Sequence, residues 1–214
     1  MIQSLKFSFN PLGVNTVLLY DSAGCAVIID PACDRRAEFE QLDSAVSRLN
    51  LSVQAVINTH AHFDHLLGLP VTLRHYGSPF YLHPDDGFLL SIASHQAGMF
   101  GIQMEETPAL PDRYLSDDQT LEFGDMKLKI IHVPGHSPGG VAIYLEDISL
   151  LIAGDILFYG SIGRSDLPGG DHEKLVDGIR RKLLVLPDET RVICGHGQDT
   201  TIGQEKKHNP FLKN

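Results

Sequence analysis

The chain has 214 residues, with 27 Asp and Glu against 17 Lys and Arg, giving a formal net charge of -10 with histidines neutral. That balance, spread along the chain rather than gathered in a tail, argues against nucleic acid as a partner. Apolar residues at 43% and charged residues at 21% exclude disordered and low-complexity classes, and no run approaches the ~20 apolar residues of a membrane helix.

The length fits one domain, residues 1–214, with a substantial core. The opening "MIQSLKFSFN" lacks the basic-then-apolar order of a secretory leader, so a cytoplasmic protein without membrane attachment is expected. Cys25, Cys33 and Cys194 are an odd set without C-x-x-C spacing and read as free thiols.

In chain order, "VNTVLLY" (14–20) and "CAVIID" (25–30) are β-branched runs and read as strands. Residues 37–50 then place Phe39, Leu42, Val46 and Leu49 at three- and four-residue intervals, the spacing of an amphipathic helix. "VQAVIN" (53–58) is the next strand. Residues 85–118 predict a helix to about Gln96 followed by an irregular Gly- and Pro-containing stretch, long enough to suggest a functional loop. Within it, Met99 and Phe100 are expected to pack on the core, the rival reading being a hydrophobic lid over a site. Strands follow at "KLKIIHV" (127–133), "GVAIYL" (140–145), "SLLIAGD" (149–155) and "TRVICGH" (190–196). Between the last two, Leu175, Ile179 and Leu183 mark a helix over 172–186 behind an Asp171 cap. Several strands are apolar throughout, so both faces are buried, and sheets with helices on their outer faces follow.

Strand ends carry the chemistry. His60, His62, Asp64 and His65 form H-x-H-x-D-H just past "VQAVIN". The spacing suits a turn in which His60 and His62 reach one metal while Asp64 and His65 face a neighbouring one. His136 sits in "VPGHSPGG", a loop stiffened by Pro134, Gly135, Pro138 and Gly139, and reads as a third ligand. Asp155 ends the apolar run "SLLIAG"; a carboxylate there is costly to bury unless paired or bound to metal, and it suits a bridge between two ions. His196 in "ICGHG" completes the second site, its glycines permitting close backbone approach. Imidazole and carboxylate without cysteine favour two divalent ions, zinc first, with iron or manganese compatible. Asp30, ending "CAVIID", is placed to orient a metal-bound imidazole. His75, His95, His132, His172 and His208 match no ligand position and read as surface or supporting residues, while His83 in "YLHPDD" is expected to organise a turn.

The order T-H-x-H-x-D-H, P-G-H, G-D, G-H, from Thr59 to His196, resembles the metallo-β-lactamase superfamily. Aspartate at position 155, "GSIGRSDLPGGD" and "NPFL" make the chain look like its glyoxalase II-like, hydroxyacylglutathione hydrolase-like branch of the compact bacterial type. The resemblance implies an α/β fold, a four-layer αββα sandwich of two mixed sheets with helices on the outer faces. It assigns His60, His62 and His136 to one ion, Asp64, His65 and His196 to the other, and Asp155 to both. It also implies hydrolysis of a small-molecule thioester similar to S-lactoylglutathione by a hydroxide held between the ions, with Asp64 orienting it. Full-length hydroxyacylglutathione hydrolases add a C-terminal helical domain that forms much of the glutathione pocket, which the residues to Asn214 do not include. The expected substrate is therefore a thioester whose thiol carrier is open. Persulfide dioxygenases of the superfamily share a stretch like Gly163 to Asp166 and use one iron at the first site, which is the alternative reading. A non-catalytic metal-binding scaffold is a third. Arg164 and Asp166 are candidates for substrate recognition, or for a salt bridge within their own loop.

Overall fold

Strand alternation sorts the chain into two sheets whose inner faces meet. The computed structural model describes residues 1–104 and 106–213, so Glu105, within the stretch expected to be irregular, lies outside the described residues. The first sheet runs β1 (Ile2–Phe9), β2 (Val14–Asp21), β3 (Cys25–Ile29), β4 (Ser52–Ile57), β5 (Phe80–Leu82) and β6 (Arg113–Tyr114), in that spatial order. Its helices are α1 (Arg36–Arg48), α2 (Leu69–Tyr76) and α3 (Gly87–Met99). The second half supplies β7 (Thr120–Phe123), β8 (Met126–His132), β9 (Val141–Leu145) and β10 (Leu150–Gly154), a small hairpin of β11 (Leu157–Phe158) and β12 (Ser161–Ile162), then α4 (His172–Gly178), β13 (Arg191–Cys194), β14 (Thr200–Thr201) and α5 (Ile202–His208). The second sheet is ordered β14-β13-β10-β9-β8-β7.

Val17, Leu19, Val27, Ile29 and Ile57 face Leu128, Ile130, Ile143, Leu145, Ile152 and Ile193 across the interior, forming the inter-sheet core. The alternate residues point outward. Leu18, Ala26 and Ile28 pack with Leu42, Ala45 and Val46 of α1; Val56, Phe80 and Leu82 pack with Leu69 of α2 and Leu89, Leu90 and Ala93 of α3. On the second sheet, Ala142, Tyr144, Leu151, Ala153 and Val192 meet Leu175, Ile179, Leu183 and Ile202. The result is the expected αββα layering, with every strand read from the sequence in place.

The expected helix over 172–186 forms as α4 followed by a π-helical turn at Ile179–Leu183. Its inward residues stand strictly four apart, which drifts around an α-helix of ~3.6 residues per turn; one wider turn keeps Leu183 on the sheet. The Asp171 cap is present, its carboxylate accepting from Lys174 N at 3.1 Å. α3 continues to Met99, and Met99 and Phe100 do not join the core, being 75% and 56% exposed. Ala93 and Ala97 take the buried positions near that end of α3, leaving the larger side chains outside. No helix among the described residues is long and apolar enough to cross a membrane.

Two parallel pairs place the chemistry. β3 runs parallel to β4, and β10 parallel to β13, so each pair ends on the same edge of its sheet. Thr59 O accepts from Val141 N at 2.8 Å, and Gly195 O from Asn15 N at 2.7 Å, joining the two sheets where those ends meet. Ile143 is fully buried on central strand β9. Ile143→Ala is expected to cost ~2–5 kcal/mol in denaturant unfolding, whereas exposed Lys127→Ala on neighbouring β8 should stay within ~0.5 kcal/mol.

Candidate metal centre

Four strand ends and one loop converge on the shared rim. Asp30 follows β3, the His60–His65 turn follows β4, Asp155 follows β10, His196 follows β13, and His136 rides the loop beyond β8. His60, His62 and His136 offer donor atoms all within 4.8 Å of one another; so do Asp64, His65 and His196, and so do His60, His65 and Asp155. All seven sequence candidates are therefore brought together, with Asp155 between the groups. Asp155 Oδ2 lies 3.5 Å from His136 Nε2 and 3.4 Å from His196 Nε2, and its Oδ1 lies 3.4 Å from His65 Nε2.

The outer nitrogen of most rings is tied down, which turns the other lone pair inward. His136 Nδ1 donates to Arg164 O at 2.8 Å, and His196 Nδ1 donates to Leu12 O at 2.9 Å. Thr59 Oγ1 donates to Asp30 Oδ2 at 2.7 Å and so meets His60 Nδ1, at 3.1 Å, as an acceptor. Asp30 Oδ2 also stands 3.1 Å from His65 Nδ1, an electrostatic contact and not a formed hydrogen bond, so one carboxylate faces two rings. Asp30 reaches back because its backbone turns left-handed (φ 49°), a conformation aspartate tolerates.

Consequently nitrogens face nitrogens: His62 Nδ1 is 2.9 Å from His136 Nε2, and His65 Nε2 is 3.4 Å from His196 Nε2. His60 Nε2 and Asp155 Oδ1 are buried without a hydrogen-bond partner among the described residues. Among the described residues no Lys or Arg is buried, so the carboxylates of Asp30, Asp64 and Asp155 gather without a buried permanent cation beside them. Inward lone pairs, orphaned donors and uncompensated carboxylates all fit divalent cations.

The two groups differ electrostatically. Burial, then the facing His65, drives the His60 imidazolium well below its usual range, and burial with His136 lowers His62 to about 3. On the other side burial again opposes charge, but Asp155 and Asp64 outweigh it and raise His196 to about 10, while Asp155, Asp30 and Asp64 raise His65. Burial likewise opposes ionisation of Asp155 and Asp64, yet the neighbouring imidazoles lower both.

The metallo-beta-lactamase superfamily model matches residues 9–196. The chain belongs to the metallo-beta-lactamase superfamily. A Haemophilus influenzae protein named hydroxyacylglutathione hydrolase GloC is 38% identical over 200 residues, 92% of each chain. The structure of BLEG-1 B3 metallo-beta-lactamase superposes with TM-score 0.90 at 38% identity, covering 99% of this chain and 100% of that one. TTHA1623, solved in a di-iron-bound form, gives TM-score 0.87 at 39% identity over 97% of this chain and 100% of that one.

The metallo-beta-lactamase site here has residues the motifs do not announce. Asn10 Nδ2 donates to Asp64 O at 3.0 Å and Asn58 Nδ2 to His65 O at 2.9 Å, fixing the turn between them. Asp86, in the "YLHPDD" turn, contacts both histidine-bearing loops. The only signal for it was a second acid beside an apparent turn. His83 does organise that turn, its Nδ1 accepting from Asp85 N at 3.3 Å, and its ring stacks on His132 at 4.0 Å. His83, Asp85 and His132 are close enough to suggest another metal group, but the rings are within 17° of parallel, so their in-plane lone pairs do not converge. Arg164 and Asp166 form an exposed bidentate pair, both contacts 2.8 Å; what touches His136 is the Arg164 carbonyl. The Cys194 carbonyl accepts from Asn15 Nδ2 at 2.9 Å, and burial pushes its thiol up to about 12. Around the centre, Phe158 lies 6.3 Å from His196 and Phe100 covers Phe63 at 5.1 Å.

Close approach is built with glycine. A Cβ at Gly195 would overlap Asp155 Oδ1 and come within 2.9 Å of the Gly154 backbone. Gly195→Ala is expected to displace Asp155, lowering metal retained after dialysis and destabilising the fold by ~1–3 kcal/mol in denaturant.

Proposed function

We propose that this chain is a metal-dependent hydrolase of thioesters similar to S-lactoylglutathione, working on a small-molecule substrate in the cytoplasm. The observation that carries the reading is the convergence of two donor groups on Asp155: His60, His62 and His136 for one divalent ion, Asp64, His65 and His196 for the other. Ions bound there, zinc in our reading with iron or manganese compatible, supply Lewis acidity toward a carbonyl oxygen and acidify water toward a nucleophile near neutral pH.

The chain's own groups position the reactants. Asp64, kept ionised by His65 and His196 against the opposing effect of burial, accepts a hydrogen bond from the attacking water and orients it. Thr59 and Asp30 keep the His60 and His65 rings turned for binding, and Leu12 O and Arg164 O do the same for His196 and His136. The leaving group then decides the substrate class. A thiol has a pKa of only ~8.5, so its thiolate departs without a dedicated acid. An amide nitrogen needs a proton donor, and the extra histidine nearest the His136 loop, His132, is committed to Pro138 O at 2.8 Å. Thioester cleavage is therefore favoured over the β-lactam cleavage that the name of the BLEG-1 relative raises, and the name of the Haemophilus influenzae relative points the same way. A persulfide dioxygenase with a single iron at the first group leaves Asp64, His65 and His196 converging without a role. A non-catalytic metal-binding scaffold would use the same seven ligands, and the absence of turnover on every compound of the panel below would favour it.

Elemental analysis of untagged protein purified without chelator is expected to find two divalent ions per chain, and a panel of S-lactoylglutathione, other acyl thioesters, a β-lactam and a thiol persulfide should show hydrolysis of thioesters fastest. One iron with oxygen uptake on the persulfide would replace this reading with the dioxygenase. Asp155→Ala should lose ~10³-fold or more in kcat/KM, the several kcal/mol that metal-ion catalysis supplies; thioester turnover by metal-depleted Asp155→Ala at the wild-type rate would refute the mechanism.

A further inference from the structure

Asp86 is fully buried at the N-cap of α3, where an aspartate ordinarily accepts from the helix's own first N–H groups. Here it makes no such bond. Its Oδ2 accepts from Ala61 N at 3.0 Å, between His60 and His62, and from Ser137 Oγ at 2.8 Å, next to His136. Its Oδ1 accepts from Gly139 N at 2.6 Å. The carboxylate thus leaves its helix uncapped to tie together two loops that are 75 residues apart in sequence, from Ala61 to His136. Nothing larger fits: a Cβ at Gly139 would lie 2.8 Å from Asp86 Cγ. From the other side, His132 Nε2 donates to Pro138 O at 2.8 Å with its ring stacked on His83, so the His136 loop is held at both flanks.

We propose that Asp86 is a positioning residue that sets the spacing between the His60–His62 turn and the His136 loop, and so the fit of one divalent ion and not of the other. Among the polar contacts of Asp86, none reaches the Asp64, His65 and His196 group. That selectivity separates the role from a general contribution to folding. Supporting partners of metal-binding loops typically change affinity by ~10–100-fold. The inference rests on the two-ion reading above.

Cobalt(II) titration of the metal-free full chain, followed by visible absorption and chelator competition, tests it. Wild type is expected to take up two ions per chain. Asp86→Asn keeps the shape but turns one acceptor into a donor, facing either the Ala61 N–H and the Ser137 hydroxyl together or the Gly139 N–H. It should retain one ion with wild-type affinity and bind the other ~10–100-fold more weakly, with unchanged far-ultraviolet circular dichroism. Unchanged binding of both ions, or equal weakening of both, would overturn the assignment. Should Asp86→Asn fail to fold, Ser137→Ala removes a single donor and decides alone: a smaller loss confined to one ion supports the role, and unchanged or uniformly weakened binding ends it. Wild-type protein that takes up no cobalt would bring down the metal reading itself, and this inference with it.

Discussion

The rim of this molecule is organised by an arrangement that is unfavourable by itself: imidazole nitrogens directed at one another inside the protein, 2.9 Å apart between His62 and His136 and 3.4 Å apart between His65 and His196. A buried acceptor without a partner costs ~1–3 kcal/mol, and His60 Nε2 and Asp155 Oδ1 are both in that state. Such an arrangement persists only if the outer side of each ring is overdetermined. Backbone carbonyls of Leu12 and Arg164 hold two rings, and the Thr59–Asp30 pair holds two more. Asp30 and Thr59 follow strands of the first sheet, Leu12 lies in the β1–β2 turn, and Arg164 follows the β11–β12 hairpin, so the strain at the rim is shared between the sandwich and its connecting turns.

The sandwich supplies that rigidity through its parallel pairs. In an antiparallel pair neighbouring strands end on opposite edges, but β3 with β4 and β10 with β13 end together. Asp30 and the histidine turn therefore share an edge, as do Asp155 and His196. Two cross-sheet backbone bonds, from Val141 N and Asn15 N, then join the two edges where the groups meet. The glycines that follow the strands, Gly154 and Gly195, let those backbones approach more closely than side chains would allow.

Most of this was legible in the sequence because it is written in short-range patterns. Apolar runs gave the central strands, and ligand types at run ends gave all seven converging residues and Asp30. What was not legible depends on contacts that leave no local period. β5, β6 and β14 are two or three residues long and exist as partners to longer strands. β1 alternates in burial but lies at a sheet edge, where its pattern is diluted by exposed polar residues. α2 and α5 are short and were not marked by a long apolar stripe. Met99 and Phe100 read as core by residue type, yet α3 fills its buried positions with alanine there. Asp86 could not be found from sequence because its partners, Ala61, Ser137 and Gly139, are defined only once two distant loops are adjacent.

Charge sets what the centre is suited to bind. Four carboxylates, those of Asp30, Asp64, Asp86 and Asp155, cluster around the histidines, and none has a buried Lys or Arg beside it. The two divalent cations of the proposed reading would bring four positive charges against them. Within the protein, Asp155 and Asp64 push His65 and His196 toward the imidazolium form against the opposing effect of burial, while burial pushes His60 and His62 the other way. Protons and metal ions are therefore competing answers to one electrostatic demand, and they are placed unequally. His60 and His62, disfavoured as imidazolium by burial, keep lone pairs for a cation, whereas His65 and His196 would have to give up protons first. The two groups therefore face an incoming cation differently, with neutral nitrogen on one side and carboxylate–imidazole pairs on the other.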